Sequence, residues 1–168
     1  MAILTSTPII EANLMTLTND VLMEGCWQEN HLKTKALPLR IVVAAALIDI
    51  DGRVLIGKRP QGKPMAGLWE FPGGKLEDGE SPETCLIREL SEELAIETRH
   101  SCLAPIAFAS HDYEDFHLLM TLFACRTWQG MPQALVHEEL AWCKAHQLHQ
   151  YNMPPADLPM IALLRDLI

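Results

Sequence analysis

Apolar residues are unevenly spread along the chain, and their spacing outlines a fold. LRIVVAAALIDI, from Leu39 to Ile50, is apolar but for Arg40 and Asp49, is β-branched near both ends, and reads as a strand. Asp51-Gly52 follows, then a second apolar run, RVLIGKRP. Two strands around an Asp-Gly turn predict a hairpin. A Gly- and Pro-rich loop covers Pro60 to Gly67, and LWEF is a short strand that Pro72-Gly73-Gly74 is expected to break. Ser81-Pro82 opens a helix, because serine is a good N-cap and proline suits the first helical position. Glu83 sits near the positive end of its macrodipole, and Glu83, Ile87, Leu90 and Leu94 share one face by spacing.

Further strands are predicted at Cys102–Ser110 and His117–Arg126, separated by the polar turn HDYEDF. Trp128-Gln129-Gly130 turns the chain, Leu140–Cys143 is a short strand, and ADLPMIALLRDLI reads as a closing amphipathic helix. The sum is an α+β fold, an α/β/α sandwich with a mixed β-sheet flanked by helices. Residues 1–38 carry only an untidy stripe (Ile9, Leu14, Leu17, Leu22) and a linker-like Lys33, Lys35, Pro38. They read as an extension, disordered or partly helical, ahead of a domain at 39–168.

Composition narrows the function. With 168 residues, 49% hydrophobic and 21% charged, the chain has one domain's worth of core. A net charge of -9 argues against a nucleic-acid polymer as partner, since such proteins need a basic face. An anionic substrate would then need a bridging cation. The five cysteines are odd in number and show no C-x-x-C spacing, so they read as free thiols in a reducing compartment. The first residues lack a signal-peptide pattern, and no apolar run has membrane length. A cytoplasmic protein, monomer or weak homodimer, is the expectation. His146 and His149 are three apart without a third ligand, so zinc is not expected there.

The chemistry concentrates in GGKLEDGESPETCLIRELSEEL, Gly73 to Leu94. Glu89 and Glu93 are four apart, and Glu92 is three from Glu89, so the carboxylates crowd one side of a helix. Like charges at that spacing repel. Either the helix is a solvated surface, or a hard, oxygen-ligated cation such as Mg²⁺ relieves the repulsion. Gly73 and Gly74 allow close approach of backbone to a metal or phosphate. Arg88 is four from Glu92, and Glu80 can reach back to Arg88.

The full array is Gly74, Glu80 after five residues, Arg88-Glu89-Leu90 after seven, then Glu92-Glu93 and Ala95-Ile96. It resembles the signature of the Nudix hydrolases, G-x5-E-x7-R-E-U-x-E-E-x-G-U with U aliphatic. Ala95 departs from the usual glycine, at a helix end where glycine eases a left-handed cap. KRPQGKPMAGLWEFPGGKLEDGESP and MPPADLPMIALL are similar to the MutT branch, and the resemblance spans about 39 to 168.

The resemblance implies a Nudix fold and Mg²⁺-dependent hydrolysis, with Mn²⁺ as substitute, of a nucleoside triphosphate to monophosphate and pyrophosphate. Sanitation of 8-oxo-dGTP is the leading implied role. CTP, 5-methyl-dCTP or another nucleoside-diphosphate-linked substrate is the alternative, and a non-catalytic binding module the remote one. Matching positions imply metal binding by Gly73, Glu89, Glu92 and Glu93. Glu89 or Glu92 is the implied base, and Arg88 orients the glutamates with Glu80. Arg59 and Lys75 match phosphate-contacting positions. Val136 stands where the branch often has another metal-binding glutamate, which Glu138 or Glu139 could replace.

Asp157 matches an asparagine that reads the base. An ionised carboxylate offers only acceptors and complements the two adjacent donors of guanine, whereas cytosine requires its protonated form. Burial favours that proton. Asp157 could equally N-cap the last helix. Phe71, or Trp69, could stack on the base or belong to the core.

Overall fold

From Val43 to Leu47 the first strand, β1 (Leu39–Leu47), is buried on both faces. Its side chains alternate between two buried clusters. Val43, Ala45 and Leu47 join Cys85, Leu86, Leu90 and Leu94, and Ala44 and Ala46 join Met120, Leu148, Met160 and Leu164. A continuous apolar run is what burial on both faces demands. The structure is a computed structural model that describes residues 37–168. The sequence reading of residues 1–36 lies outside the described residues.

Among the described residues seven strands form two sheets. β2 is Arg53–Lys58, β3 Trp69–Glu70 and β4 Gly73–Lys75. β5 is Leu103–Asp112, β6 His117–Cys125 and β7 Glu139–Lys144. The four-stranded sheet has order β4-β1-β6-β5 and the three-stranded sheet β3-β2-β7. Only β1 and β6 run parallel among these pairs, with Leu39 opposite His117 and Leu47 opposite Cys125. Helix α1 (Pro82–Leu94) packs on one face of β1, and α2 (Leu158–Leu167) packs in the cluster on the other. This is the expected mixed sheet flanked by helices.

Three local expectations need correction. The Asp-Gly turn forms, with Gly52 donating to Asp49 at 2.9 Å, but β1 and β2 share only the Ile48–Val54 bridge. β4 and β6 already occupy both edges of β1, so β2 leaves to pair with β3 and β7. Gly73-Gly74 does not end strand structure either. The chain crosses between sheets at Phe71-Pro72, and Gly73 begins β4 opposite Ala44. On α1 the buried face is Cys85, Leu86, Leu90 and Leu94, while Glu83 and Ile87 stay half-exposed.

The ends of α1 follow the sequence. Ser81 Oγ accepts the Thr84 N–H at 3.2 Å, and Pro82 takes the first turn. Ala95 closes the helix in the left-handed region, φ 56° and ψ 34°, with its N–H on the Ser91 carbonyl. Among the described residues no helix is long and apolar enough to cross a membrane.

Candidate active site

Glycine builds the entrance to the site. A Cβ on Gly73, whose φ is +147°, would lie 2.1 Å from the Val43 carbonyl oxygen. One on Gly74 would lie 2.2 Å from the Glu89 carboxylate. No other residue lets β4 lie flat on β1 while α1 rests a carboxylate against it. The Gly73 N–H donates to Glu93 Oε2 at 3.1 Å, so β4 and α1 are tied at this point.

Arg88 organises the outer side of α1. Its Nε and Nη2 donate to the two oxygens of Glu80 at 2.8 and 3.0 Å, a two-pronged pair. Nη1 reaches Glu89 Oε1 at 2.9 Å and Glu92 Oε2 at 3.4 Å. The guanidinium holds the Glu80 carboxyl down to about 2. Glu93 is the opposite case: burial pushes its carboxyl up to about 7, and Glu70 and Glu89 add to the rise. His137 and the Gly73 N–H pull it back only in part.

A cavity of about 540 Å³ opens beside these groups. Glu89 and Glu93 line it from α1, Gly73, Gly74 and Lys75 from β4, and Arg59, Phe71 and Asp157 from elsewhere in the chain. Thus Gly73, Glu89, Glu93, Arg59, Lys75, Phe71 and Asp157 from the sequence reading all meet on one cavity. Arg88 and Glu80 stand behind it and steer Glu89. Glu92 is not in the wall; its carboxylate is 60% exposed and turns to Arg88. Trp69 is also outside the wall, with its ring edge-on to Tyr151 at 5.1 Å.

Asp157 does not cap α2 with its side chain. The carboxylate is 5% exposed and accepts the Phe71 N–H at 3.4 Å. Burial raises its pKa to about 7, with Glu70 adding to the rise and Arg59 opposing it. Val136 lines the cavity, whereas Glu138 pairs with Lys58 at 3.6 Å and Glu139 opens β7. Neither glutamate is in the cavity wall, so neither occupies the place of a carboxylate at 136.

Among the wall residues that sequence reasoning missed, Glu70, His137, Tyr113 and Phe116 carry the most chemistry. Glu70 Oε2 binds Arg59 Nη1, and its Oε1 lies 3.5 Å from His137 Nε2. Tyr113 and Phe116 stack at 4.9 Å, and Arg40 lies 4.1 Å over the Phe116 ring. Both aromatics belong to HDYEDF, whose only signal was that of a turn.

The donor set fits a hard divalent cation. Glu89, Glu93 and the Gly73 backbone offer oxygen alone, and Glu93 is a buried carboxyl whose charge its neighbours oppose. As placed, no three His, Cys, Asp or Glu side chains among the described residues are gathered closely enough to ligate one ion. Arg88 holds Glu89 at 2.9 Å and Glu92 at 3.4 Å.

Two sheets between helices, with a glycine-bounded acidic helix facing a cavity that also holds arginine and lysine, define a hydrolase of phosphoric anhydrides. The NUDIX domain model matches residues 43–163, and the chain belongs to the Nudix family. It is 41% identical over 123 residues to the CTP pyrophosphohydrolase of Escherichia coli, covering 72% of this chain and 88% of that protein. It is 33% identical over 131 residues to the 8-oxo-dGTP diphosphatase of the same organism, covering 76% and 98%. The solution structure of the E. coli ORF135 protein superposes with a TM-score of 0.69 at 35% identity, covering 78% of this chain and 91% of that one. The protein is a MutT-like nucleotide pyrophosphohydrolase, in a family generally dependent on divalent metal.

Proposed function

We propose that the protein hydrolyses a cytosine nucleoside triphosphate, with Mg²⁺ or in its stead Mn²⁺, to the monophosphate and pyrophosphate. Water adds across one phosphoric anhydride, with its oxygen ending on one phosphorus and its protons shared between the products. The carrying observation is Asp157: a buried carboxyl on the cavity wall, raised to about 7 and beside Glu70. Protonated, it donates to cytosine N3 and accepts from the 4-amino group. The relative named CTP pyrophosphohydrolase supports this reading.

A bound divalent cation supplies charge neutralisation on the phosphates and acidifies water. The chain's own groups do the rest. Glu89 and Glu93, with Gly73, would hold the ion, and Arg88, itself paired with Glu80, sets the direction of Glu89. Glu92, outside the wall and turned to Arg88, would take a proton from water only by swinging toward the cavity. Arg59 and Lys75 face the phosphate charge, and the Tyr113–Phe116 pair offers aromatic surface to the base, whereas Phe71, 3% exposed, belongs to the core. The free thiols Cys85, Cys102, Cys125 and Cys143 support a reducing, cytoplasmic setting.

The sequence reading put 8-oxo-dGTP first. It remains the second reading, favoured by the 8-oxo-dGTP diphosphatase relative and by an ionised Asp157, which complements two adjacent donors. A panel of CTP, dCTP, 5-methyl-dCTP, dGTP and 8-oxo-dGTP with Mg²⁺ and product identification tests both. Monophosphate and pyrophosphate are expected, with the highest kcat/KM for a cytosine nucleotide near pH 6. Higher kcat/KM for 8-oxo-dGTP at every pH sinks the cytosine assignment. Pyrophosphate released from none of them sinks the function itself.

A further inference from the structure

His137 is a deeply buried ionisable side chain on the cavity wall: 1% of its side chain is exposed, and its Nδ1 has no hydrogen-bond partner. The fold makes room for it. A Cβ on Gly57 of β2 would lie 2.3 Å from His137 Cδ2, so a glycine is required under the ring. The next residue pins the segment, since the Glu138 N–H donates to the Lys58 carbonyl at 2.8 Å. The other edge of the ring, Nε2, faces Glu70 Oε1 at 3.5 Å, close enough for charge attraction but longer than a formed hydrogen bond. Glu70 Oε2 in turn holds Arg59 Nη1, and Arg59 Nε is fixed on the Pro64 carbonyl at 2.8 Å. Imidazole, carboxylate and guanidinium thus form one chain running from β7's approach, through β3, to the loop after β2.

Chemistry selects the tautomer. A proton on Nε2 faces the Glu70 carboxylate and leaves only an acceptor, Nδ1, unpaired. A proton on Nδ1 would set a lone pair against that carboxylate and bury an orphan donor. Leaving a buried donor unmade costs about 1–3 kcal/mol. We infer that His137 is a positioning residue of the nucleotide site: seated on Gly57, it sets its Nε2 edge against Glu70 Oε1, backs the Glu70–Arg59 pair and so fixes the Arg59 guanidinium toward the substrate. This role rests on the nucleotide-hydrolase reading for its consequence, but not for its geometry.

The prediction separates binding from chemistry. Replacing His137 frees Glu70 and lets Arg59 reorient, while Glu93 keeps its Gly73 N–H and Glu89 keeps its Arg88 contact. His137→Leu is expected to raise KM for the best substrate about tenfold, with kcat within about threefold. His137→Gln, whose amide N–H can replace Nε2–H, is expected to restore most of that loss. Gly57→Ala, which pushes the ring from its seat, is expected to reproduce the His137→Leu pattern.

The test pairs those kinetics with a long-range ¹H–¹⁵N spectrum of the wild-type full chain, which reads the His137 tautomer without any turnover. A neutral ring protonated at Nε2, with the KM effect and its rescue by glutamine, is the expected result. A neutral ring protonated at Nδ1 overturns the inference, as does a His137→Leu protein that folds and loses kcat at unchanged KM. If His137→Leu does not fold, the tautomer and the His137→Gln kinetics decide. If the wild type turns over no nucleotide, the functional reading falls, while the tautomer still decides the geometry.

Discussion

The Asp157 carboxylate accepts the backbone N–H of Phe71 at 3.4 Å, across 86 positions of sequence. That contact fastens the residue before α2 to the crossing between the two sheets. It puts a titratable group on the cavity wall a few residues from the glycines of β4. Its charge state then bears on both selectivity and stability.

Selectivity should depend on pH. Below about 7 Asp157 is protonated and matches a donor–acceptor edge; above it the ionised group matches two donors. The ratio of kcat/KM for CTP to that for a guanine nucleotide is expected to fall as pH rises through that value. Asp157→Asn, which always presents one donor face and one acceptor, should give a flat ratio. Competition assays with both nucleotides at several pH values check this; a pH-independent wild-type ratio removes Asp157 as the base reader.

Stability carries the same signature. Asp157 has its pKa raised from the ordinary 3.8 to about 7 in the folded state, so the folded protein binds the proton more tightly. The stabilisation is complete below the unfolded value and is lost as pH rises through the folded one. A rise of this size corresponds to roughly 4 kcal/mol at most. Urea unfolding of the wild type, compared with Asp157→Asn, is expected to show the wild type losing ground between about pH 4 and pH 7. A constant difference across that range rejects a desolvated Asp157.

The helix end offers a mutation with no catalytic consequence. Ala95 is held at φ 56° and ψ 34°, where its Cβ crowds the backbone. Glycine there relieves about 1 kcal/mol. Ala95→Gly is expected to raise Tm by a few degrees with kcat and KM unchanged, because Ala95 touches no wall of the cavity. Thermal unfolding followed by circular dichroism measures it; a lower Tm contradicts a strained cap.

Much of this was legible in the sequence because it is local. The Ser81 cap, the left-handed strain at Ala95 and the spacing of Arg88, Glu89 and Glu93 are set within one helix. What escaped is set by contacts between distant segments. Alternation could not show that both edges of β1 were taken, so β2 looked like its hairpin partner. Gly73 and Gly74 looked like breakers because their need comes from Val43 and Glu89, which lie across from them in space. Glu70 and His137 meet only after β2, β3 and β7 assemble, and no spacing in the chain joins them.

Gly74 supplies the sharpest test of the acidic face. A methyl group at Gly74 would sit 2.2 Å from the Glu89 carboxyl carbon, so Glu89 must swing away. Arg88 already holds Glu89 Oε1 at 2.9 Å, and the displaced carboxylate stays on that outer side. A misplacement of about 1 Å costs on the order of a hundredfold in rate. Gly74→Ala is therefore expected to lower kcat about a hundredfold and to raise the Mg²⁺ concentration needed for half-maximal turnover. Nucleotide KM at saturating Mg²⁺ should change little, because Arg59 and Asp157 are on other elements. Metal titration of initial rates separates these terms. A Gly74→Ala protein that folds and keeps full kcat at the wild-type Mg²⁺ requirement removes Glu89 from metal binding.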